Sequence, residues 1–280
     1  MNLDYSNVNA LVASILVEEL VRCGVSTFVI SPGSRSAPLT IAAARHDKTT
    51  NIDHPDERGA GFFALGYARA TGQPVGLICT SGTAAANYLP AVVEASMDMV
   101  PLVLLTADRP PELRDCGANQ TIHQVGLYNK FVRHSTDLPC PQVDIPAVLW
   151  LTTVDRAVAS ALGSPPGPVH INCPFREPLA PLMDGNDYSD VTAPLLRWMG
   201  SSEPYTAVHR TIVQPEQRQV DDLVETVEQS PDGIVVAGHL RSDGEKWAVK
   251  QVAQTLGWPL LPDIRSRLRL HDDIPGALLY

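Results

Sequence analysis

The sequence predicts an α/β protein: a parallel sheet flanked by helices, followed by the start of a second α/β unit. Three observations carry this. Short apolar runs alternate with longer amphipathic ones up to about residue 174. The short runs, among them VGLIC at 75–79 and PLVLL at 101–105, are apolar almost throughout, as strands covered on both faces must be. Small, hydroxyl-rich turns, SPGSRS at 31–36 and TSGTAA at 80–85, then pass from strand to helix.

Residues 7–23 place Val8, Leu11, Val12, Ile15, Leu16 and Leu20 on one helical face, with Gly24 suited to the C-terminal cap. A strand follows at Thr27–Ser31 and a helix from about Pro38 to Arg45. Further strands are predicted at Asn51–Asp53, Val75–Thr80, Pro101–Ala107 and Val169–Asn172, separated by helices near 57–71, 83–98 and 145–162. From Pro174 the texture turns to prolines and acidic or polar stretches, with one possible helix at 214–228. Residues 1–185 therefore read as a first domain and 186–230 as an interdomain connection. A strand at Gly233–Gly238, a helix at 244–256 and a strand at Trp258–Pro262 begin a second domain, 231–280. It reads as truncated, because one strand–helix–strand unit is too little to close a sheet.

A net charge of −10 argues against a general nucleic-acid binder, since phosphate contacts need a basic face. It also gives weight to isolated arginines in unusual places. Five cysteines, Cys23, Cys79, Cys116, Cys140 and Cys173, show no C-x-x-C pairing and read as reduced thiols of a cytosolic protein. No signal peptide and no bilayer-spanning apolar stretch is expected, so the localisation is expected to be cytoplasmic.

Four segments carry candidate chemistry. In SPGSRS, between strand and helix N-terminus, Gly33 permits a tight turn and Ser34 and Ser36 can cap or donate. Arg35 is the odd residue: a guanidinium at the positive end of a helix is disfavoured unless an anion binds there. On this motif alone a capped turn with a solvated arginine is an equal reading. In HPDERGAGFFALGYARA, Glu57 opens a helix whose next residues, Gly59, Ala60 and Gly61, are small, a loss of helix propensity that close approach by a ligand or another backbone would justify. A lone first-turn Glu also simply complements the helix dipole. TSGTAAANYLPA by itself is a compact strand-to-helix turn. In LLTADRPPELRDCGANQTIHQ a strand ends in Asp108 and Arg109 and enters a long polar loop with Arg114, Asn119, Gln120 and His123, at the edge where open α/β sheets bind ligands. Arg114 reads there as a solvated loop arginine. His123, His134 and His170 show no metal-ligand spacing and read as structural or surface residues.

Together SPGSRS, DERGAGFFALG, TSGTAAAN and LLTADRPPELRDCGANQ, with the later INCPFREPL, VVAG and TLGWPLL, resemble in order the N-terminal part of the 2-succinyl-5-enolpyruvyl-6-hydroxy-3-cyclohexene-1-carboxylate (SEPHCHC) synthase, or MenD, family. That resemblance implies a thiamine-diphosphate-dependent transferase of menaquinone biosynthesis. Such enzymes decarboxylate 2-oxoglutarate and add the succinyl-semialdehyde unit to isochorismate. It implies that residues 1–185 are a pyrimidine-binding domain and that Glu57 is catalytic, hydrogen-bonding the cofactor's pyrimidine. It also implies that Ser34, Arg35, Arg109 and Gln120 bind substrate. The family holds its cofactor between subunits of a homodimer or homotetramer, so Glu57 and the small residues after it are expected at an intersubunit surface.

The family's magnesium site, a Gly-Asp-Gly motif with a later Asn, has no counterpart here. Asp-Gly at 184–185, 232–233 and 243–244 lacks the preceding glycine, and no asparagine follows Asn186. Mg2+ ligands are therefore expected in a further C-terminal domain, and the 280-residue chain alone is expected to be inactive. Two alternatives stay open: another thiamine-diphosphate carboligase or decarboxylase, and a non-catalytic pyrimidine-domain binding protein.

Overall fold

Helix α1 (Val8–Arg22) begins at Asn7, whose side-chain oxygen accepts from the Ala10 amide at 3.0 Å, and is closed by Gly24 in the left-handed region at φ 91°. The computed structural model describes residues 3–209, 213–230, 232–240 and 242–269. After α1 come β1 (Thr27–Ile30), α2 (Ala37–Arg45), β2 (Thr50–Asp53), α3 (Glu57–Thr71) and β3 (Val75–Cys79). Then follow α4 (Thr83–Asn87), α5 (Leu89–Met97), β4 (Leu102–Asp108), β5 (Ser135–Asp137), α6 (Val148–Ala161) and β6 (Val169–Pro174).

The strands pair in the order β2-β1-β3-β4-β6-β5, every neighbour parallel. Every residue of β1, β3, β4 and β6 is buried, which is why β3 and the first part of β4 are apolar without alternation, while β6 and the end of β4 bury the polar His170, Asn172, Thr106 and Asp108. The edge strands β2 and β5 are partly exposed and polar, which blunts pairing with other chains. One face of the sheet is covered by α1, α2 and α6, with Leu11, Ile15, Leu16, Trp150 and Val154 in its core. The other carries α3, α4 and α5, with Ala60, Ala64, Tyr88, Val92 and Tyr128. Burying each large aliphatic side chain contributes about 1.5–3 kcal/mol.

Three local expectations change. The predicted helix 83–98 is two helices meeting at Tyr88, because Pro90 cannot donate the backbone bond that would continue the first into the second. Strand β5 escapes sequence reading since Ser-Thr-Asp has no apolar content; its place is fixed by pairing with β6. Part of the stretch read as a connection packs on the first unit. It forms α7 (Ser189–Thr192) and α8 (Leu196–Met199), and buries Tyr188, Leu195 and Trp198 in the core beneath α1.

That packing is secured by Glu19, wholly buried on α1, which accepts from the Trp198 indole N–H and from the Tyr205 amide, each at 2.5 Å. Asp155 of α6 accepts from the Thr206 amide at 2.8 Å and from the Cys23 thiol at 3.4 Å. Arg22 lies over the Trp198 ring at 4.2 Å and pairs with Glu18 at 2.7 Å.

The chain divides into two compact units, Met1–Arg210 and Thr211–Tyr280. In the second, α9 (Gln217–Glu228) is followed by β7 (Val235–Ala237), α10 (Asp243–Leu256) and β8 (Leu260–Pro262), with β7 and β8 parallel. Ala237, Ala253, Leu260 and Leu268 form its small core, while Val236 and Trp247 stay exposed. The final part of the sequence expected to end this domain partway, residues 270–280, lies outside the described residues.

Burial, then the hydrogen bond and charge of Asp155, push the Glu19 carboxyl up to about 8. A raised folded-state value means that this group's stabilisation is complete below the ordinary carboxylate range and is lost as pH rises through that value. The unfolding midpoint of the wild type is therefore expected to fall between about pH 5 and about pH 8, by roughly 2–4 °C for each kcal/mol lost. Glu19→Gln, at the cost of one acceptor, should flatten that slope. A wild-type midpoint that stays level across this range, measured by calorimetry, would contradict the assignment.

Candidate functional site

In an all-parallel sheet the strand carboxyl ends and the following helix N-termini share one edge. A crevice opens there where the chain order reverses, and here the reversal lies between β1 and β3. The turn after β1 contains Gly33 to Arg35, and the turn after β3 contains Thr80 to Gly82. The two turns touch: a Cβ on Gly33 would stand 2.3 Å from Thr80 Cβ, so only glycine fits.

Arg35 turns inward and is 8% exposed. Its Nη1 donates to the Phe175 carbonyl at 3.0 Å and its Nη2 pairs at 3.2 Å with Glu177, an exposed carboxylate; its Nε is buried with no partner. Arg109, directly after β4, donates from Nη1 to Ser81 Oγ and from its backbone to Asp108 Oδ1 at 2.8 Å. Burial, and next the charge of Arg35, push the Arg109 guanidinium below its ordinary value. Both guanidiniums follow strands at the carboxyl edge of the sheet, where an anion would offset their charge. Gln120 reaches the same turn, its Nε2 donating to the Ser81 carbonyl at 3.0 Å while its own carbonyl accepts from Ser81 Oγ at 3.2 Å. Ser34 is exposed at the rim. Arg109 and Gln120 are therefore brought together at Ser81, while Arg35, with Ser34 before it, sits in the neighbouring turn after β1 and is held by Phe175 and Glu177.

Glu57 is the first residue of α3, whose N-cap is Asp56, accepting from the Arg58 amide at 2.9 Å. Asp56 also holds the Arg58 guanidinium at 2.5 Å, which leaves the half-buried Glu57 without an ion pair or side-chain hydrogen bond among the described residues. Burial pushes up the thiol of Cys79, at the end of β3, and the charge of Glu57 adds to this. Glu57 itself opens the helix that follows β2, at the carboxyl edge of the sheet. No contact joins Glu57 to the arginine cluster among the described residues.

The small residues after Glu57 have an internal cause. A Cβ on Gly59 would meet the His54 ring at 2.3 Å, and one on Gly61 would meet Ala91 Cβ at 2.8 Å. The close approach expected from a ligand or a second backbone is made by the chain itself. The exposed large apolar side chains of this helix are Phe62 and Phe63.

Beneath the cluster lies a polar network that the motifs did not disclose. Asn172 of β6 donates to Asp108 Oδ2 at 2.9 Å and to Asp137 Oδ1 at 2.8 Å. Arg114, expected as a solvated arginine, bridges the same two carboxylates, at 3.0 Å from each. Burial pushes Asp108 up despite its Asn172 and Arg114 bonds. Gln124, Thr106 and His170 complete the network, and burial pushes His170 down to about 4, keeping it neutral. His123 stands on the surface. Neither Ser81 nor Gln124 was singled out from sequence; the only signal was their presence inside the quoted turn and loop segments. A cavity of about 470 Å³ opens beside this loop, lined by Arg114, Thr121, His123 and Asp137 among others. Another of about 360 Å³, bounded by α1 and α2, shares no residue with the cluster.

Two family descriptions match this chain: "Thiamine pyrophosphate enzyme, N-terminal TPP binding domain" over residues 11–127, and "Middle domain of thiamine pyrophosphate" over residues 189–279. Together these descriptions cover most of the chain, which belongs to the thiamine pyrophosphate enzyme family, as the resemblance of its motifs had implied. Within that family it is similar to proteins named 2-succinyl-5-enolpyruvyl-6-hydroxy-3-cyclohexene-1-carboxylate synthase. That of Salinibacter ruber is 50% identical over 95% of this chain and 45% of its own length. Those of Prosthecochloris aestuarii and Rubrobacter xylanophilus are 47% and 50% identical, over 97% and 94% of this chain and 47% and 45% of their own lengths. The chain thus spans a little under half the length of these curated relatives. Among the described residues, no helix is long and apolar enough to cross a membrane.

The bracket over Asp108 gives a direct test. Arg114→Ala leaves a buried carboxylate without its cation, and breaking such a pair costs about 3–5 kcal/mol. The lower end is expected because the Arg114 side chain is 24% exposed. Arg58→Ala, which breaks an exposed pair, should leave the urea midpoint nearly unchanged. Equal midpoints for the two variants would mean that Arg114 is not structural.

Proposed function

We propose that this chain is the pyrimidine-binding part of a SEPHCHC synthase of menaquinone biosynthesis, which decarboxylates 2-oxoglutarate on thiamine diphosphate and adds the succinyl-semialdehyde unit to isochorismate. The names of the relatives support the reaction. The observation that carries the site is the placement of Arg35 and Arg109 after two strands at one edge of the sheet, with Arg35 ion-paired only to the exposed Glu177 among the described residues. Both substrates are polycarboxylates, and two planar guanidinium forks suit them.

Each residue then has a defined task. Thiamine diphosphate, when bound, supplies the electron sink for decarboxylation. Glu57 would hold its aminopyrimidine, sharing a proton between a carboxylate oxygen and the ring nitrogen. Arg35 and Arg109 would grip substrate carboxylates, with the Arg35 Nε as a donor not yet used. Gln120 and Ser34 would add neutral donors at the rim. Residues 1–185 form the pyrimidine-binding domain in this reading, 186–230 the connection, and 231–280 the beginning of a central domain. The diphosphate and its Mg2+ would be held by a domain outside these residues, from another subunit of a homodimer or homotetramer. The cytoplasm is the setting, where the five free thiols stay reduced.

In the full-length enzyme Glu57→Gln should lower turnover about 10²–10⁴-fold with the fold intact, the usual scale for loss of a general acid–base group. Turnover close to wild type would remove Glu57 from the mechanism. Arg35→Lys and Arg109→Lys keep the charge but lose the fork. Each should raise the KM for 2-oxoglutarate with little change in unfolding midpoint; a large shift in stability with KM unmoved would make them structural. An enzyme that turns over pyruvate as readily as 2-oxoglutarate, or ignores isochorismate, would be a different carboligase.

A further inference from the structure

Gln124 is 1% exposed, and both ends of its amide are engaged. Its Oε1 accepts from the Gly82 amide at 3.1 Å. Its Nε2 donates to Asn172 Oδ1 at 2.7 Å, to the Ala107 carbonyl at 2.9 Å and to Thr106 Oγ1 at 3.1 Å. One side chain therefore ties the turn after β3 to β4 and β6.

The direction of this amide is forced by its surroundings. Asn172 faces two carboxylates, Asp108 and Asp137, so its Nδ2 must point to them and its Oδ1 away. The Oδ1 then takes donors, Gln124 Nε2 at 2.7 Å and Thr106 Oγ1 at 3.2 Å, and that leaves Gln124 Oε1 facing Gly82 N–H. Turning the amide over would set a donor against the Gly82 donor and an acceptor against the Asn172 and Ala107 acceptors. The order set by the carboxylates is thus handed on to the peptide between Ser81 and Gly82.

That peptide carries the candidate site. Ser81 Oγ accepts from Arg109 Nη1, and the Ser81 carbonyl accepts from Gln120 Nε2. Gly82 sits at φ 80°, and Gln120 packs on it so closely that a Cβ would meet Gln120 Cγ at 3.0 Å. A peptide in this conformation needs an external hold to keep Ser81 aimed at the arginine.

We propose that Gln124 is the positioning residue that fixes the Ser81–Gly82 peptide and, through Ser81, the Arg109 guanidinium for carboxylate binding. This rests on the reading of Arg109 given under Proposed function. Gln124 touches no substrate in this scheme; it acts on Arg109 and leaves Arg35, held by Phe175 and Glu177, to its own contacts.

A double-mutant cycle in the full-length, cofactor-loaded enzyme tests it, with 2-oxoglutarate as the varied substrate. Gln124→Met should raise the KM about tenfold, a loss of about 1.4 kcal/mol, while kcat moves less. In an Arg109→Lys background the added effect of Gln124→Met should vanish, whereas in an Arg35→Lys background it should persist. A role confined to stability would act alike in both. Effects equal in the two backgrounds, or a Gln124→Met enzyme with unchanged KM, overturn the inference. Should Gln124→Met not fold, Gln124→Glu serves: its carboxyl, protonated at low pH, regains a donor toward Asn172. Its KM should therefore recover as pH falls, relative to wild type, and a KM ratio constant with pH overturns the inference. A wild-type enzyme that does not discriminate 2-oxoglutarate from pyruvate would instead defeat the substrate reading itself, which separates the two failures.

Discussion

Asp108 ends an interior strand with a carboxylate that is 1% exposed, and the carboxyl edge of the sheet is organised around satisfying it. An uncompensated charge at such a position would cost several kcal/mol. Asn172 reaches it from β6, Arg114 from the long loop after β4, and the Arg109 amide from the next residue. Each of these partners has a second task. Asn172 passes a fixed orientation to Gln124, Arg114 anchors the loop that carries Gln120 and Gln124 by also binding Asp137, and Arg109 sends its side chain to Ser81. A single desolvated carboxylate therefore sets the loop, the strand ends and one of the two arginines of the candidate site.

The parallel sheet explains why these groups can meet at all. Strand ends and helix starts of alternate units accumulate along one edge, where backbone N–H groups and helix dipoles favour anions. An arginine placed there works against the local field unless an anion is present to offset it. In a chain of net charge −10, two guanidiniums at the carboxyl edge of the sheet, one after β1 and one after β4, form a local exception to the overall balance.

Much of this was legible in the amino-acid order. Strand β3 and the first part of β4 announced themselves by the runs VGLIC and LVLL, which are buried on both faces without a polar residue. Glu57, Arg35, Arg109 and Gln120 stood out as charges or amides at the ends of strands, and two of them, Arg109 and Gln120, meet at one serine. What escaped sequence reading shares a physical reason. Strand β5 exists through its partner rather than its own composition, and Trp198 and Tyr188 hide among prolines and acids yet supply anchors for α1. Gln124, Asn172 and Arg114 are polar residues whose burial depends on each other, so none is recognisable alone. The glycines after Glu57 were noticed, but their cause, His54 and Ala91 pressing on α3, is a tertiary contact with no local sequence signature.

Unsatisfied polar groups gather at this edge of the sheet. The Arg35 Nε is buried without a partner, as are Ser31 Oγ just after β1 and Arg114 Nε in the network below, and the half-buried Glu57 has no hydrogen bond or ion pair among the described residues. Leaving a buried polar group unsatisfied costs about 1–3 kcal/mol, so folding alone gives these donors no compensation. Arg35 and Glu57 lie at different helix starts, one cationic and one anionic, and a single small anion would answer only the arginine side.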